Sequence, residues 1–153
     1  MTLRLRRIDR LESALALAPA LEARAAEFHE QFSDEGFPEG AVERFLRRCF
    51  DDPATHLIVA EEAASERRAG ACLTGPFVDP LLGTRLPMVL VLWVEPGFRH
   101  RGLARALVGR ASELLLERGM TSLAARAGHN DDALISMGER WGFVRLWELM
   151  LRE

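Results

Sequence analysis

The sequence lacks lysine and tyrosine: all 20 basic residues are arginine, and no Tyr occurs among the 153 residues. With a net charge of −3, no global positive field attracts nucleic acid, so we expect no nucleic-acid partner. The longest apolar run is too short to span a membrane, and the opening MTLRLRRIDR does not have a signal-peptide pattern. We therefore expect a cytoplasmic protein without a membrane partner.

Motifs for metals and for serine nucleophiles are also missing. There is no GxSxG turn, no CxxC and no HExxH, and no metal-ligand spacing connects the four histidines, His29, His56, His100 and His129. We therefore predict no metal. The two cysteines, Cys49 and Cys72, lie in apolar settings. They are expected to be small core residues in a reducing compartment, without a disulfide.

What the sequence does contain is one globular domain, which we assign to residues 1–153, with 48% apolar and 28% charged residues. Its most informative stretch, 88–104, is MVLVLWVEPGFRHRGLA. Seven consecutive apolar residues, Met88 to Val94, stand between two prolines, which is typical of a strand buried on both faces. Apolar residues spaced by three and four then predict a helix from Leu103 to about Arg118.

The loop between this strand and this helix has the chemistry of an anion-binding site. The first turn of a helix leaves about four N–H groups without partners, and the helix dipole places roughly half a positive charge there. Gly102 has no Cβ to keep a ligand from the backbone, and Ala104 is nearly as open. Arg99 and Arg101 add bidentate phosphate donors. A pyrophosphate fits such a helix start; the alternative is a simple turn with solvated arginines.

The wider pattern around this loop matches a known family. From Val94 to Ala104 the chain is VEPGFRHRGLA, which resembles the acetyl-coenzyme A loop of GNAT-type N-acetyltransferases: Arg or Gln, two residues, Gly, one residue, then Gly or Ala, after an apolar strand. It is neither the dinucleotide GxGxxG pattern nor a Walker motif. A second match resembles the family's later helix and the start of its next strand: Asn130, Ala133, Arg140 and Gly142-Phe143.

The resemblance implies a fold, a cofactor and a set of contacts. The implied fold is a single α/β (α+β) domain whose mixed, mostly antiparallel sheet splays after the fourth strand and is flanked by helices. Acetyl-coenzyme A is the implied co-substrate, with no metal. Contacts to it are implied for Leu92, Trp93, Val94, Arg99, His100, Arg101, Gly102, Leu103, Ala104, Arg105 and Asn130. Core packing for Trp93 and a helix N-cap for Asn130 remain alternatives.

The family's usual catalytic side chains have no counterpart here. The position of its proton-donating Tyr is Met137, or Gly138 when counted back from the Gly-Phe pair. Ser136 is the nearest hydroxyl and a weak candidate for the acid; the alternative is a surface residue of the helix. The predicted strand from Met88 to Val94 contains no ionisable residue and therefore no base. Glu95 follows it and is expected to be solvated. The catalytic acid and base therefore stay unassigned.

These observations predict transfer of an acetyl group to the primary amine of a small-molecule acceptor by direct attack on the thioester. Phe32, Glu35 and Phe37 are predicted to contact the acceptor, in a turn-rich segment in which Asp34 adds a second carboxylate. The alternatives are a coenzyme A-binding sensor or regulatory module, a protein N-acetyltransferase, and a structural domain with an empty slot. Homodimer formation is left open.

The remaining elements are predicted from periodicity and turn signals. Strands are expected at 2–8, 56–60, 69–74, 121–127 and 143–151. Helical turns are expected at 11–17, and a separate helix is expected to begin near Pro19, because proline suits a first turn but not a helix interior. A further helix is expected to end before 51–53, and a shorter one to follow Gly128. The segment 77–86 is predicted to be a loop or a frayed strand.

Overall fold

The computed structural model describes residues 2–31, 33–128, 130–146, 150 and 152. In this part of the chain five strands form one sheet in sequential order: β1 (Leu3–Arg7), β2 (His56–Glu62), β3 (Arg68–Val78), β4 (Arg85–Val94) and β5 (Ala124–Ala125). The helices are α1 (Leu11–His29), α2 (Ala41–Cys49), α3 (Leu103–Glu117) and α4 (Asp132–Arg140), with a 3-10 turn η1 (Pro96–Phe98). Strands β1 to β4 are antiparallel and β5 is parallel to β4, which confirms the predicted mixed sheet.

Helices cover both faces of the sheet. Because side chains along a strand alternate between its two faces, one strand contributes apolar residues to both cores. Leu57 and Val59 of β2 pack with α1 and α2 on one face. Ile58 and Ala60 of the same strand pack with α3 on the other. On β4 only Val91 and Trp93 of the last five residues are buried, and the intervening residues are half-buried. None of the helices in the described part of the chain is long and apolar enough to cross a bilayer.

Helix α1 differs from the prediction of a helix starting at Pro19. It is continuous from Leu11 to His29 and holds Pro19 in its interior. A proline there removes one helical hydrogen bond and costs about 3 kcal/mol. The buried face around it, which includes Ala14, Leu17 and Leu21, offsets that cost by apolar burial. The prediction was wrong because the burial of that face depends on the sheet.

The segment 77–86, predicted to be a loop or a frayed strand, is the end of a hairpin between β3 and β4. Phe77 pairs with Leu86, so the strands extend well beyond Thr74 and Met88. The N–H of Asp79 bonds to the C=O of Thr84 at 3.0 Å. Because bonded and non-bonded pairs alternate in an antiparallel ladder, the facing pair of Pro76 and Pro87 falls at a non-bonded position. Their missing N–H groups therefore remove no bond from this ladder.

The sheet splays where a β-bulge interrupts β4. The partner of Val89 is Thr74 and the partner of Val91 is Leu73, which leaves Leu90 as an extra residue. Bulges bend a strand and increase its twist. Pairing with β5 is confined to Met88 and Val89, so 90–94 has no strand neighbour on that side in the described part of the chain. The predicted splay after the fourth strand is thereby confirmed, and we call this opening the gap.

Two predicted strands after β4 differ from the structure. The strand expected at 121–127 consists only of Ala124 and Ala125. Of the strand expected at 143–151, residues 143–146 are not in a strand, while 147–149 and 151 lie outside the described residues. Since β5 contributes only two pairs, little backbone bonding draws the sheet closed beside 90–94.

Candidate active site

The main chain of β4 borders the gap. The N–H of Glu95 bonds to the C=O of Ala69 at 2.8 Å, on the β3 side. Because successive residues of a strand direct their backbone groups to opposite sides, Trp93 also faces β3, whereas Leu92 and Val94 face the gap. The Trp93 side chain, 8% exposed, packs in the core beside α1. Core packing thus accounts for the Trp93 indole, while its two neighbours turn their main chain to the gap.

The loop after β4 has an unusual backbone. His100 and Gly102 both adopt positive φ, 62° and 74°, and left-handed residues of this kind shape loops whose N–H groups converge on anions. Gly102 is the N-cap residue of α3, and no side chain caps that helix. The first helical bond runs from Ala106 N–H to Gly102 C=O, so the N–H groups of the intervening residues 103–105 have no intrahelical partner.

The side chains of this loop divide between core and solvent. Phe98 and Leu103 are buried and fix the loop on the sheet face below α3. Arg99 is exposed, and its Nε–H donates to the C=O of Val94 at 3.0 Å. Arg101 and Arg105 are exposed and form no ion pair in the described part of the chain. Leu103 can therefore offer a ligand only its N–H, while the arginines can offer charge.

Strand β5 directs a second helix start to the same edge of the sheet. Because β4 and β5 are parallel, the loops after both strands lie at one edge, and Asn130 follows β5 as the Gly102 loop follows β4. Asn130 is exposed and is not the cap of α4. That role belongs to Asp131, whose Oδ1 accepts the N–H of Leu134 at 3.0 Å. The alternative role of Asn130 as the N-cap of this helix was therefore wrong, because the next residue, Asp131, is the N-cap.

A cavity of about 260 Å³ lies between α1 and the gap-facing end of β4. The strand and loop contribute Leu92, Trp93, Val94 and Arg99, and α1 with the turn after it contributes Arg24, Glu27, Phe28 and Gln31. These last four are spaced i, i+3, i+4 and i+7, which is one face of a helix. None of these four was among the predicted site residues, because polar residues at this spacing normally indicate a solvated face. Only Phe28 among them is an apolar signal.

An ion-pair network joins the two walls of this cavity. Arg24 contacts Glu27 at 3.1 Å and Glu95 at 3.5 Å, and its guanidinium lies 5.9 Å from the centre of the Trp93 ring. The Trp93 Nε1–H donates to Glu95 Oε1 at 3.1 Å. Glu95 is thus half-buried and bound by two donors rather than solvated, which corrects the expectation. Neither carboxylate of the cavity is free of a cation.

A second cavity, of about 360 Å³, adjoins the end of α1 and includes two of the predicted acceptor residues. Glu35 and Phe37 line it, together with Glu30 and Asp34. Phe37 packs edge-on against His29, with ring centres 5.6 Å apart. Phe32 lies outside the described residues. The turn-rich segment therefore forms an acidic concavity with an aromatic wall.

The family assignment follows from a sequence comparison. Residues 17–143 match the profile of the acetyltransferase (GNAT) family. The chain belongs to this family. It is therefore an acetyltransferase, and the left-handed Gly102 loop lies within the matched region. A search of curated proteins finds no match.

Solved structures of similar fold include other acetyltransferases. The aminoglycoside N-acetyltransferase AAC(6')-Iy, in complex with the bisubstrate analogue CoA-S-monomethyl-acetylneamine, has a TM-score of 0.69 at 14% identity over 100% of this chain and 98% of that one. The aminoglycoside acetyltransferase HMB0005 from an uncultured soil metagenomic sample has a TM-score of 0.65 at 21% identity, covering 100% and 98%. A ribosomal-protein-alanine N-acetyltransferase from Brucella melitensis biovar Abortus 2308 has 0.63 at 18%, covering 99% of each. At these identities the likeness establishes the shared GNAT fold.

The helix start of this GNAT chain fits a pyrophosphate. A Cβ built on Gly102 meets no atom within 4 Å, so the space beside this backbone is open. The uncapped N–H groups of residues 103–105 border the loop that holds the exposed Arg101. Donors, charge and open space therefore occur together where the resemblance implies the phosphates of acetyl-coenzyme A.

Among the residues that the structure describes, neither the family's Tyr position nor Ser136 nor Cys72 offers a proton donor near the gap. Ser136 is exposed on α4 and lines neither cavity. Met137 and Gly138, at the family's Tyr position, are half-buried and carry no acidic hydrogen. Cys72 is buried in the core, and burial raises the pKa of its thiol to about 12. The surface-residue alternative for Ser136 therefore fits its exposure.

Proposed function

We propose that this GNAT domain transfers an acetyl group from acetyl-coenzyme A to the primary amine of a small-molecule acceptor. The observation that carries the proposal is the uncapped, left-handed start of α3 at Gly102, directly after the gap-facing end of β4. The start of α3 supplies donors for an anion, and the end of β4 supplies main-chain groups beside an open cavity. The two parts together suit a ligand with a pyrophosphate and a long amide-bearing arm.

The predicted residues divide between the pyrophosphate and the pantetheine arm of the cofactor. The N–H groups of residues 103–105 and the guanidinium of Arg101 bind the pyrophosphate, with Arg105 on the first turn adding charge. The gap-facing main chain of Leu92 and Val94 binds the pantetheine amides, as a missing strand would. Asn130, which has no capping role, is free to contact the same arm. Acetyl-coenzyme A supplies an acyl group activated as a thioester.

The reaction is direct attack of a neutral amine on the thioester carbonyl. The C–N bond forms as the C–S bond breaks, the electron pair goes to sulfur, and the amine proton passes to water. Positioning and main-chain N–H groups that polarise the carbonyl account for the acceleration. A thiol has a pKa near about 8.5, so thiolate is a tolerable leaving group without a dedicated acid.

The absence of an ionisable residue from Met88 to Val94 favours a weakly basic acceptor. A lysine-type amine of pKa about 10.4 is only roughly 0.1% neutral near pH 7.4, whereas an α-amine of pKa about 7.7–8.0 is roughly a quarter neutral. The two carboxylates beside the cavity, Glu27 and Glu95, are both engaged by Arg24. We therefore propose an α-amine acceptor that enters beside the acidic segment of Glu35 and Phe37.

A panel of amines tested for free-thiol release decides the reaction. Purified protein with acetyl-coenzyme A should release thiol in the presence of α-amines and not without an acceptor. Coenzyme A binding measured by calorimetry on the same samples separates loss of chemistry from loss of binding. Tight binding with no thiol release from any amine contradicts the proposal and favours a sensor.

The pH dependence of kcat/KM tests the acceptor class. For an α-amine and a lysine-type amine of matched size, each profile should rise with pH up to the pKa of that amine. The α-amine should be preferred at neutral pH because more of it is neutral. Preference for the lysine-type amine, with a plateau beginning well below its own pKa, shows that the enzyme contains a base and overturns this part.

A further inference from the structure

The Arg126 guanidinium, at the gap, has no counter-charge among the residues that the structure describes. Arg126 directly follows β5, at the level of Leu90, where β4 and β5 separate. Its Cζ lies 5.4 Å from the centre of the Phe28 ring on α1. Phe28 lines the 260 Å³ cavity together with Leu92 and Val94. The Arg126 side chain therefore reaches from the far side of the gap to the wall of the 260 Å³ cavity.

The surroundings of Arg126 contrast with those of Arg24, an arginine of this cavity that has carboxylate partners. Arg24 has two carboxylate partners, Glu27 and Glu95. Arg126 has no ion pair with any residue that the structure describes. Although the residue as a whole is exposed, partial burial of its guanidinium lowers its pKa, and no carboxylate contributes to the shift. A shielded cation without a counter-ion attracts an anionic group of a ligand.

The charges of the two cavity walls define what complements them. Glu27 and its partner Arg24 lie on α1, and the uncompensated Arg126 lies across the gap. A zwitterion then directs its amine toward α1 and its carboxylate to Arg126. The guanidinium supplies a single positive charge, which one carboxylate balances and a phosphate of about −1.5 to −2 charge near pH 7 exceeds. A single carboxylate is therefore the better complement.

We propose that Arg126 binds a carboxylate of the acceptor, so that the acceptor is an α-amine bearing a carboxylate, as in a short peptide or an amino acid. This inference rests on the proposed acetylation of an α-amine and narrows its substrate class. The planar guanidinium donates two parallel N–H bonds to the carboxylate oxygens, which orients the acceptor. Arg126 acts as a specificity-determining residue and takes no part in bond making.

The test compares a dipeptide with its C-terminal amide, since the amide removes the carboxylate and leaves the distant α-amine chemically similar. Both are measured by thiol release and by calorimetric titration into the protein saturated with coenzyme A. The wild type should favour the free dipeptide by about 10- to 100-fold in kcat/KM and in Kd, the range of a charge-assisted pair. Arg126→Gln should remove this preference by weakening only the free dipeptide, and Arg126→Lys should restore part of it.

Arg48→Gln is the matched control, because Arg48 is exposed on α2 and lines neither cavity. It should behave as the wild type with both dipeptides. Equal use of the two dipeptides by the wild type, or an equal loss with both in Arg126→Gln at unchanged KM, overturns the inference. In those outcomes thiol release from amines still supports acetyl transfer. If no amine releases thiol, the proposed reaction fails, and the titration alone decides whether Arg126 binds the carboxylate.

Discussion

Replacing Gly102 by alanine should have two separate effects, one on the stability of the fold and one on the affinity for coenzyme A. Its φ of 74° is left-handed, and a Cβ built there meets no atom within 4 Å. Gly102→Ala therefore introduces backbone strain without a clash in the free protein. Gly119, after the other end of α3, has φ 78° and equally open surroundings. Gly119→Ala is thus a control with the same strain and no proximity to the loop.

The two alanine variants should lose similar stability. A residue with a Cβ in the left-handed region costs about 1–2 kcal/mol relative to its preferred conformation. For a domain of this length each 1 kcal/mol lowers Tm by roughly 2–4 °C. Differential scanning calorimetry should therefore give matching decreases for Gly102→Ala and Gly119→Ala, with cooperative unfolding in both.

Coenzyme A affinity should separate the variants. Gly119→Ala should bind as the wild type, while Gly102→Ala should bind more weakly because its methyl group stands between phosphate and backbone. Gly102→Glu adds a negative charge, and two unit charges about 4 Å apart interact by about 1 kcal/mol in water and about 4 kcal/mol at an effective dielectric constant of 20. For this exposed site we expect a further loss of at least about tenfold, which corresponds to 1.4 kcal/mol.

The salt dependence of coenzyme A binding tests whether the added charge of Gly102→Glu causes this further loss of affinity. Between about 0.01 M and about 1 M ionic strength the screening length falls from about 30 Å to about 3 Å. The affinity difference between Gly102→Glu and Gly102→Ala should therefore shrink as salt is raised. Unchanged affinity in both variants, measured by isothermal titration calorimetry on folded protein, shows that the pyrophosphate binds elsewhere.

Two further predictions concern single side chains. Ser136→Ala should lower turnover only modestly, since Ser136 is exposed and outside both cavities; a loss of about 10²–10⁴, typical of a general acid, identifies Ser136 as the donor instead. His56 is 3% exposed, with Nε2 3.1 Å from Pro53 O and Nδ1 unpartnered, and burial, reinforced by Arg7, lowers its pKa. Because the unfolded chain takes up the proton below about pH 6.5, stability should fall as pH decreases from there, by at most about 1.4 kcal/mol per pH unit from this group. Urea unfolding of His56→Gln at pH 7.5 and 5.5 should show a smaller pH dependence than the wild type, and an equal dependence means that His56 does not contribute.

Local signals predicted the elements of the proposed cofactor-binding half of the site. The apolar run of β4, the loop with Gly102 and the periodicity of α3 lie within 30 consecutive residues, and the structure has the strand, the loop and the helix there. Such features depend on short-range chemistry: a helix period, a left-handed glycine and β-branched residues in a buried strand. The resemblance to the GNAT family added the splay, which periodicity alone does not contain.

Long-range packing decided the rest. The Leu90 bulge depends on register with β3, and the continuity of α1 through Pro19 depends on burial against the sheet. Above all, the cavity beside α1 brings Arg24 and Glu27 together with Glu95, which lies about 70 positions later in the chain, and the fold sets Arg126 over Phe28. On the sequence these are charged residues of the kind that normally face water. Only tertiary contact determines which charge finds a partner, because an ion pair across a gap depends on the distance between elements and not on the spacing within either one.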